Sequence, residues 1–107
     1  MTDAAMHPTS SGRHSILQTQ DVRVTEFMLQ PGERLGWHHH SEITDRFYCL
    51  QGIISVELRE PAETNVLRPG ESCAVPPGRA HCPVNPADQI SSYLLIQGVG
   101  RYDFIDD

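Results

Sequence analysis

Lysine is missing from this chain. All eight basic residues are arginine, which excludes a Schiff-base amine, a lysine general base and a phosphate loop with its lysine. Positive charge is scarce altogether, since fourteen acidic residues leave a formal net charge of −6. Nucleic acids and anionic membrane surfaces want a basic face, so neither is an expected partner. No run approaches the roughly eighteen apolar residues of a membrane-spanning helix. Residues 1–15 hold no apolar segment of the kind that marks a secretory leader. Cysteine is sparse too. Cys49, Cys73 and Cys82 are far apart, form no CxxC pair and leave one thiol over in any disulfide scheme. Free thiols in a reducing cytoplasm are the simplest reading, and a cytoplasmic location is expected.

Helical periodicity is also lacking. The chain of 107 residues is 38% hydrophobic, enough for one modest core in one domain. Its apolar residues fall in short alternating runs between Gly and Pro turns. Asp21 to Leu29 alternates, with Val22, Val24, Phe27 and Leu29 as its apolar positions. Ile54, Val56 and Leu58 alternate with Ser55, Glu57 and Arg59, the pattern of a half-buried strand. Further runs cover 36–40, 47–50, 65–68, 71–75 and 90–97, and 102–105 can add an edge strand. Turn signals at this spacing predict an all-β sandwich or barrel. Residues 1–18, which open rich in Ser, Thr, Pro and Gly, are expected to be loose or to form a strand ordered against a partner. Residues 19–107 form the β domain.

Six histidines are present, three of them consecutive. On a strand, His38 and His40 share one face while Trp37 and His39 point to the other. Asp45 follows after a length of chain that one short turn can fold back. His81 comes much later, just beyond the turn Pro76-Pro77-Gly78. In a closed β structure three imidazoles and a carboxylate can converge on one divalent cation. Such a donor set suits Fe, Mn, Ni, Co or Zn better than Ca or Mg, which want oxygen shells.

These residues stand in two spaced patterns. Gly32-ERLGW-His38-His39-His40-SEIT-Asp45-RFYCLQ-Gly52 resembles the first motif of the cupins, G-x(5)-H-x-H-x(3,4)-E-x(6)-G. Gly70-ESCAV-Pro76-Pro77-Gly78-RA-His81-CPV-Asn85 resembles the second, G-x(5)-P-x-G-x(2)-H-x(3)-N. One fixed position departs from the pattern, with Asp45 where the family usually has Glu. The resemblance implies a double-stranded β-helix, or jelly-roll barrel, with His38, His40 and His81 as metal ligands and Asp45 at the fourth position. Asp is one methylene shorter than Glu. It binds the metal directly, binds through water, or stands by as an acid/base group. Small cupins of this kind are commonly homodimers, often with exchanged N-terminal strands, so the resemblance implies a homodimer as well.

Other positions have two readings each. Arg79, two residues before His81, is either an anchor for a small anionic ligand or a turn arginine paired with an acid. Phe47 and Cys49 share the parity of Asp45 and line a pocket or pack a core. Tyr93, with Gln97, does the same from the long late strand. Glu42 reads as a surface acid in the connecting turn, and Cys82 as a buried, inert thiol. The function implied is a metal-dependent enzyme on a small polar or anionic organic molecule, with oxygenase-type or enolate chemistry and Asp45 as the catalytic acid/base candidate. A redox-neutral isomerase or lyase, or a non-catalytic sensor that binds a small molecule, is the alternative.

Overall fold

A computed structural model describes residues 12–107 of the chain. Among them the alternating runs become ten strands and no helix. In chain order these are β1 (Gly12–Gln18), β2 (Val22–Leu29), β3 (His38–His39), β4 (Thr44–Gln51) and β5 (Ile54–Leu58). After them come β6 (Glu63–Leu67), β7 (Ser72–Val75), β8 (His81–Val84), β9 (Ser91–Gly98) and β10 (Ile105–Asp106). They form two five-stranded sheets, ordered β1-β2-β9-β4-β7 and β10-β3-β8-β5-β6. Every named pairing is antiparallel. This is the all-β jelly roll that the two motifs imply.

The core lies between the sheets. Along β4, Asp45, Phe47 and Cys49 are buried while Arg46, Tyr48 and Leu50 are exposed, the period of two that a strand imposes. Phe47 and Tyr93 pack at 5.3 Å between ring centroids, over a floor that includes Ile54, Val56, Val75 and Leu95. Burying each large apolar side chain contributes about 1.5–3 kcal/mol, so this cluster is the main source of stability.

Along strand β2 the four apolar positions divide between the two faces. Its interior face carries Arg23, Thr25 and Phe27, which line a cavity, and then Leu29 in the core. Val22 and Val24 lie on the other face by the alternation of the strand. Polar residues point inward here because one end of the barrel interior is a cavity, not packed core.

The expected N-terminal segment divides. Residues 1–11 lie outside the described residues, while 12–18 form β1 and pair with β2 of the same chain, Gly12 facing Met28 and Gln18 facing Arg23.

Two turns fix the strands that carry Asp45 and His81. Gly52 joins β4 to β5 at φ 71°, and a Cβ there would meet Ile90 O at 2.9 Å, so both its conformation and its space demand glycine. The turn Pro76-Pro77-Gly78 is hooked to the histidine segment by Gly78 N–H donating to His40 O at 2.7 Å. The buried Asn85 amide donates to Leu29 O at 3.1 Å and Gln89 O at 2.7 Å and accepts from Ala87 N. These three bonds tie the turn that follows β8.

Candidate metal centre

His38 and His81 are direct cross-strand partners between β3 and β8. His40 lies one residue past β3, and Asp45 comes from β4 in the opposite sheet. The cluster therefore bridges both sheets at one end of the barrel. All four side chains are buried, Asp45 and His81 to 1% exposure. Their donor atoms lie within 4.8 Å of one another, near the span of two metal–donor bonds of about 2.1 Å each.

The hydrogen bonds around the rings decide where the lone pairs point. His38 Nδ1 donates to Gly36 O at 3.1 Å, His40 Nδ1 to Asp103 O at 2.6 Å and His81 Nδ1 to Arg79 O at 2.8 Å. A carbonyl oxygen only accepts, and a neutral imidazole has one N–H. In each neutral ring the proton therefore sits on Nδ1 and Nε2 carries a lone pair. His40 Nε2 and His81 Nε2 face the same oxygen, Asp45 Oδ2, at 3.1 and 2.8 Å. Three electron-rich atoms meeting in a buried site need a shared proton or a cation between them. Backbone carbonyls that fix the ring tautomer are also the usual outer support of metal-binding histidines. The residues present fit a divalent metal, and His38, His40, Asp45 and His81 would hold it.

Charge follows the same geometry. Burial pushes the Asp45 carboxyl up, but the adjoining His40 and His81 rings and a hydrogen bond from Gln97 outweigh it and hold the group far below the usual carboxylate range. Burial lowers His40, and Asp45 more than restores it, leaving its pKa raised. His38 is lowered, chiefly by burial. Asp45 is thus a firm anion at neutral pH.

A cavity of about 190 Å³ opens above the cluster. His38, His40, Asp45 and two of the expected ligand contacts, Phe47 and Tyr93, line it. Cys49 does not. Its parity is inward as expected, but it sits deeper in the core, with its Sγ donating to Gly52 O at 3.5 Å. Arg79 is also not at the cavity. Its guanidinium is turned outward and donates to Arg59 O at 3.0 Å, to Pro61 O at 2.8 Å and to Glu63 at 2.8 Å. The reading as a turn arginine paired with an acid holds, because β8 begins only at His81 and strand parity does not reach back to Arg79.

The surface readings hold as well. Glu42 pairs with Arg101 at 3.2 Å, and His39 turns from the cluster to Asp107 at 2.9 Å. Cys82 is buried, and burial raises its pKa. All three thiols are free.

Among the cavity residues that sequence reasoning missed are Arg13, Arg23, Tyr102 and Phe104. Phe104 stacks on His38 at 4.5 Å and 15°, and Tyr102 lies 5.5 Å from the His40 ring. The alternation of Tyr102 and Phe104 in the tail was the available signal. It gave an edge strand over 102–105, whereas the strand that pairs with β3 is β10, Ile105–Asp106, and 102–104 are irregular. It did not show that the approach to that strand covers the imidazoles.

A family profile described as the cupin domain matches residues 25–97. No curated protein matches the chain in sequence. Among solved structures, an uncharacterized conserved protein with a double-stranded β-helix domain from Klebsiella pneumoniae aligns at TM-score 0.82 and 19% identity, over 98% of this chain and 93% of that one. The polyketide cyclase RemF from Streptomyces resistomycificus aligns at TM-score 0.77 and 22% identity, over 92% of this chain and 71% of that one. An oxalate oxidase aligns at 0.76 and 16%, over 94% of this chain and 56% of that one. At these identities the likeness is one of fold. Two interlocked motifs, a jelly roll with its histidines at one end, and a profile match over most of the described strands place this chain in the cupin family.

Proposed function

We propose that this protein is a metal-dependent enzyme acting on a small polar or anionic organic molecule. Its metal is a divalent transition ion (Fe, Mn, Ni, Co or Zn) held by His38, His40 and His81 with Asp45. The observation that carries this reading is the convergence of two imidazole lone pairs on one carboxylate oxygen in a buried site. A bound transition metal supplies Lewis acidity for an enolate or a site for activating dioxygen. The protein's own residues do the rest. Phe47 and Tyr93 form an apolar wall that positions the ligand and excludes water, while Gln97 holds Asp45 by one oxygen. Asp45, which lines the cavity, would be the acid/base candidate were it not a metal ligand.

The names of the structural neighbours, an oxidase and a cyclase, are consistent with cupin scaffolds carrying more than one chemistry. The donor set of three imidazoles and one carboxylate favours oxygenase-type chemistry with Fe or Mn. Free thiols fit a cytoplasmic enzyme, and a homodimer is the expected assembly.

The test is elemental analysis of the purified protein, then oxygen uptake with diketones, catechols and thiols. Stoichiometric metal and uptake dependent on ferrous iron are expected. A metal-loaded protein without uptake that exchanges the α-proton of a ketone for deuterium indicates the redox-neutral reaction. One that turns nothing over is a binding domain. Absence of metal under every loading condition overturns the reading.

A further inference from the structure

Arg13 on β1 and Arg23 on β2 both line the cavity. The only carboxylate among the described lining residues is Asp45, which is engaged by His40, His81 and Gln97. Among the described residues neither guanidinium makes a hydrogen bond or an ion pair. Arg34, Arg79 and Arg101 behave differently, each meeting a carboxylate, on Glu57, Glu63 and Glu42. Arg23 is half-buried and Arg13 exposed, and in a chain with fourteen acids two arginines at a cavity whose one described carboxylate is already engaged are uncommitted donors.

Arg23 is also held in place. Its guanidinium lies over the Tyr102 ring at 3.9 Å, and Tyr102 in turn packs on His40. Stacking leaves the N–H edges of the fork open and reduces the side-chain entropy lost when a ligand binds. Arg13 lies over Phe27 at 5.3 Å. In the sheet, Gln18, Arg23, Gln97 and Asp45 form one row across β1, β2, β9 and β4. Neighbouring strands are about 4.8 Å apart, so Arg23 stands two strands from Asp45 on the same interior face. A ligand held by both the guanidinium and the histidine cluster is a few bonds long. The cavity of about 190 Å³ is small beside the roughly 300–1,000 Å³ of ordinary ligand sites, which suits a short chain.

We propose that Arg23, assisted by Arg13, binds the carboxylate of a short organic acid whose second oxygen function reaches the histidine cluster. This rests on the proposed function and names the substrate class of that same site. A planar fork matches carboxylate two bonds at a time. It also accepts phosphate, which is therefore one arm of the test.

The experiment is titration calorimetry of the full chain, loaded with Mn²⁺ and metal-stripped, against malonate, succinate, glutarate, neutral succinamide and inorganic phosphate. At least one diacid is expected to bind the wild type, and succinamide not to. Arg23→Gln is expected to weaken that diacid by about tenfold or more, Arg13→Gln by less, and Arg23→Lys, which keeps the charge and loses the fork, by an intermediate factor. Mn²⁺ affinity and the melting temperature of Arg23→Gln are expected to match the wild type. No diacid binding, equal binding by Arg23→Gln, equal binding of succinamide, or phosphate binding tighter than every diacid overturns the proposal. Diacid binding that depends on Arg23 in a protein that takes up no Mn²⁺ keeps the anion anchor and removes the metal, so the two failures are distinguishable.

Discussion

Gln97 on β9 and Asp45 on β4 are direct cross-strand partners, and Gln97 Nε2 donates to Asp45 Oδ1 across 3.0 Å. The bond occupies one carboxylate oxygen and turns the other, Oδ2, toward His40 and His81. Orientation of a buried carboxylate is thus set from the neighbouring strand. Replacing Gln97 by Met keeps most of the volume and removes the donor. Metal affinity is expected to fall by about ten- to a hundredfold, the usual effect of losing an outer-shell partner. A competition titration with a chromophoric chelator measures it, and an unchanged affinity would show that Gln97 does not support the site.

Protons compete with the metal for the same imidazoles. Each ring must be neutral to ligate, so binding releases protons and affinity falls as pH falls through the histidine range, below about 6.5. Dialysis at a series of pH values followed by elemental analysis reads the loss. Full retention two pH units lower contradicts histidine ligation.

Arg79 ties the segment around 59–63 to the second motif through two carbonyls and Glu63. Arg79→Met is expected to leave metal content and ligand affinity unchanged. Its cost is about 1–2 kcal/mol of stability, since the carbonyl bonds contribute about 0.5–1.5 kcal/mol each and the partly exposed ion pair little. Urea unfolding checks the cost. A drop in ligand affinity at constant metal content would restore Arg79 to the binding site.

Tyr93 is fully buried, and its hydroxyl has no hydrogen-bond partner among the described residues. Burial, and then the nearby Asp45 charge, push its pKa well above the ordinary value, so it remains a neutral phenol. An unmade buried hydrogen bond costs about 1–3 kcal/mol. Tyr93→Phe is therefore expected to match or exceed the wild type in melting temperature. A clear fall in scanning calorimetry would mean that the hydroxyl has a partner.

Gly52 carries two constraints at once, a φ of 71° and the approach of Ile90 O. Gly52→Ala is expected to lose about 2 kcal/mol or more, since the left-handed region alone costs a non-glycine residue about 1–2 kcal/mol. Chemical denaturation of the two proteins side by side gives the difference. Equal stability would show that the β4–β5 turn relaxes freely.

Period-two reasoning was reliable where a strand was regular and its interior apolar. It put His38 and His40 on one face and gave Asp45, Phe47 and Cys49 their inward parity. It does not extend to Arg79, which belongs to a turn where parity has no meaning. It could not say that Cys49 lies below the cavity floor, because parity gives direction and not depth. On β2 the apolar valines mark the outer face. The interior at that end is a polar cavity, so Arg23 and Thr25 are the inward residues.

The amino-acid order alone determined the class of fold and the four side chains of the cluster, because spaced turns and alternation are local properties and the two motifs are read along the chain. Which nitrogen of each histidine is left free for the cluster was decided only in three dimensions, by carbonyls of Gly36, Arg79 and Asp103. The same is true of the aromatic cover from Tyr102 and Phe104 and of Arg23 beside it, unpaired among the described residues. Those depend on which distant segments the closed barrel brings into contact, and a one-dimensional period carries no record of that.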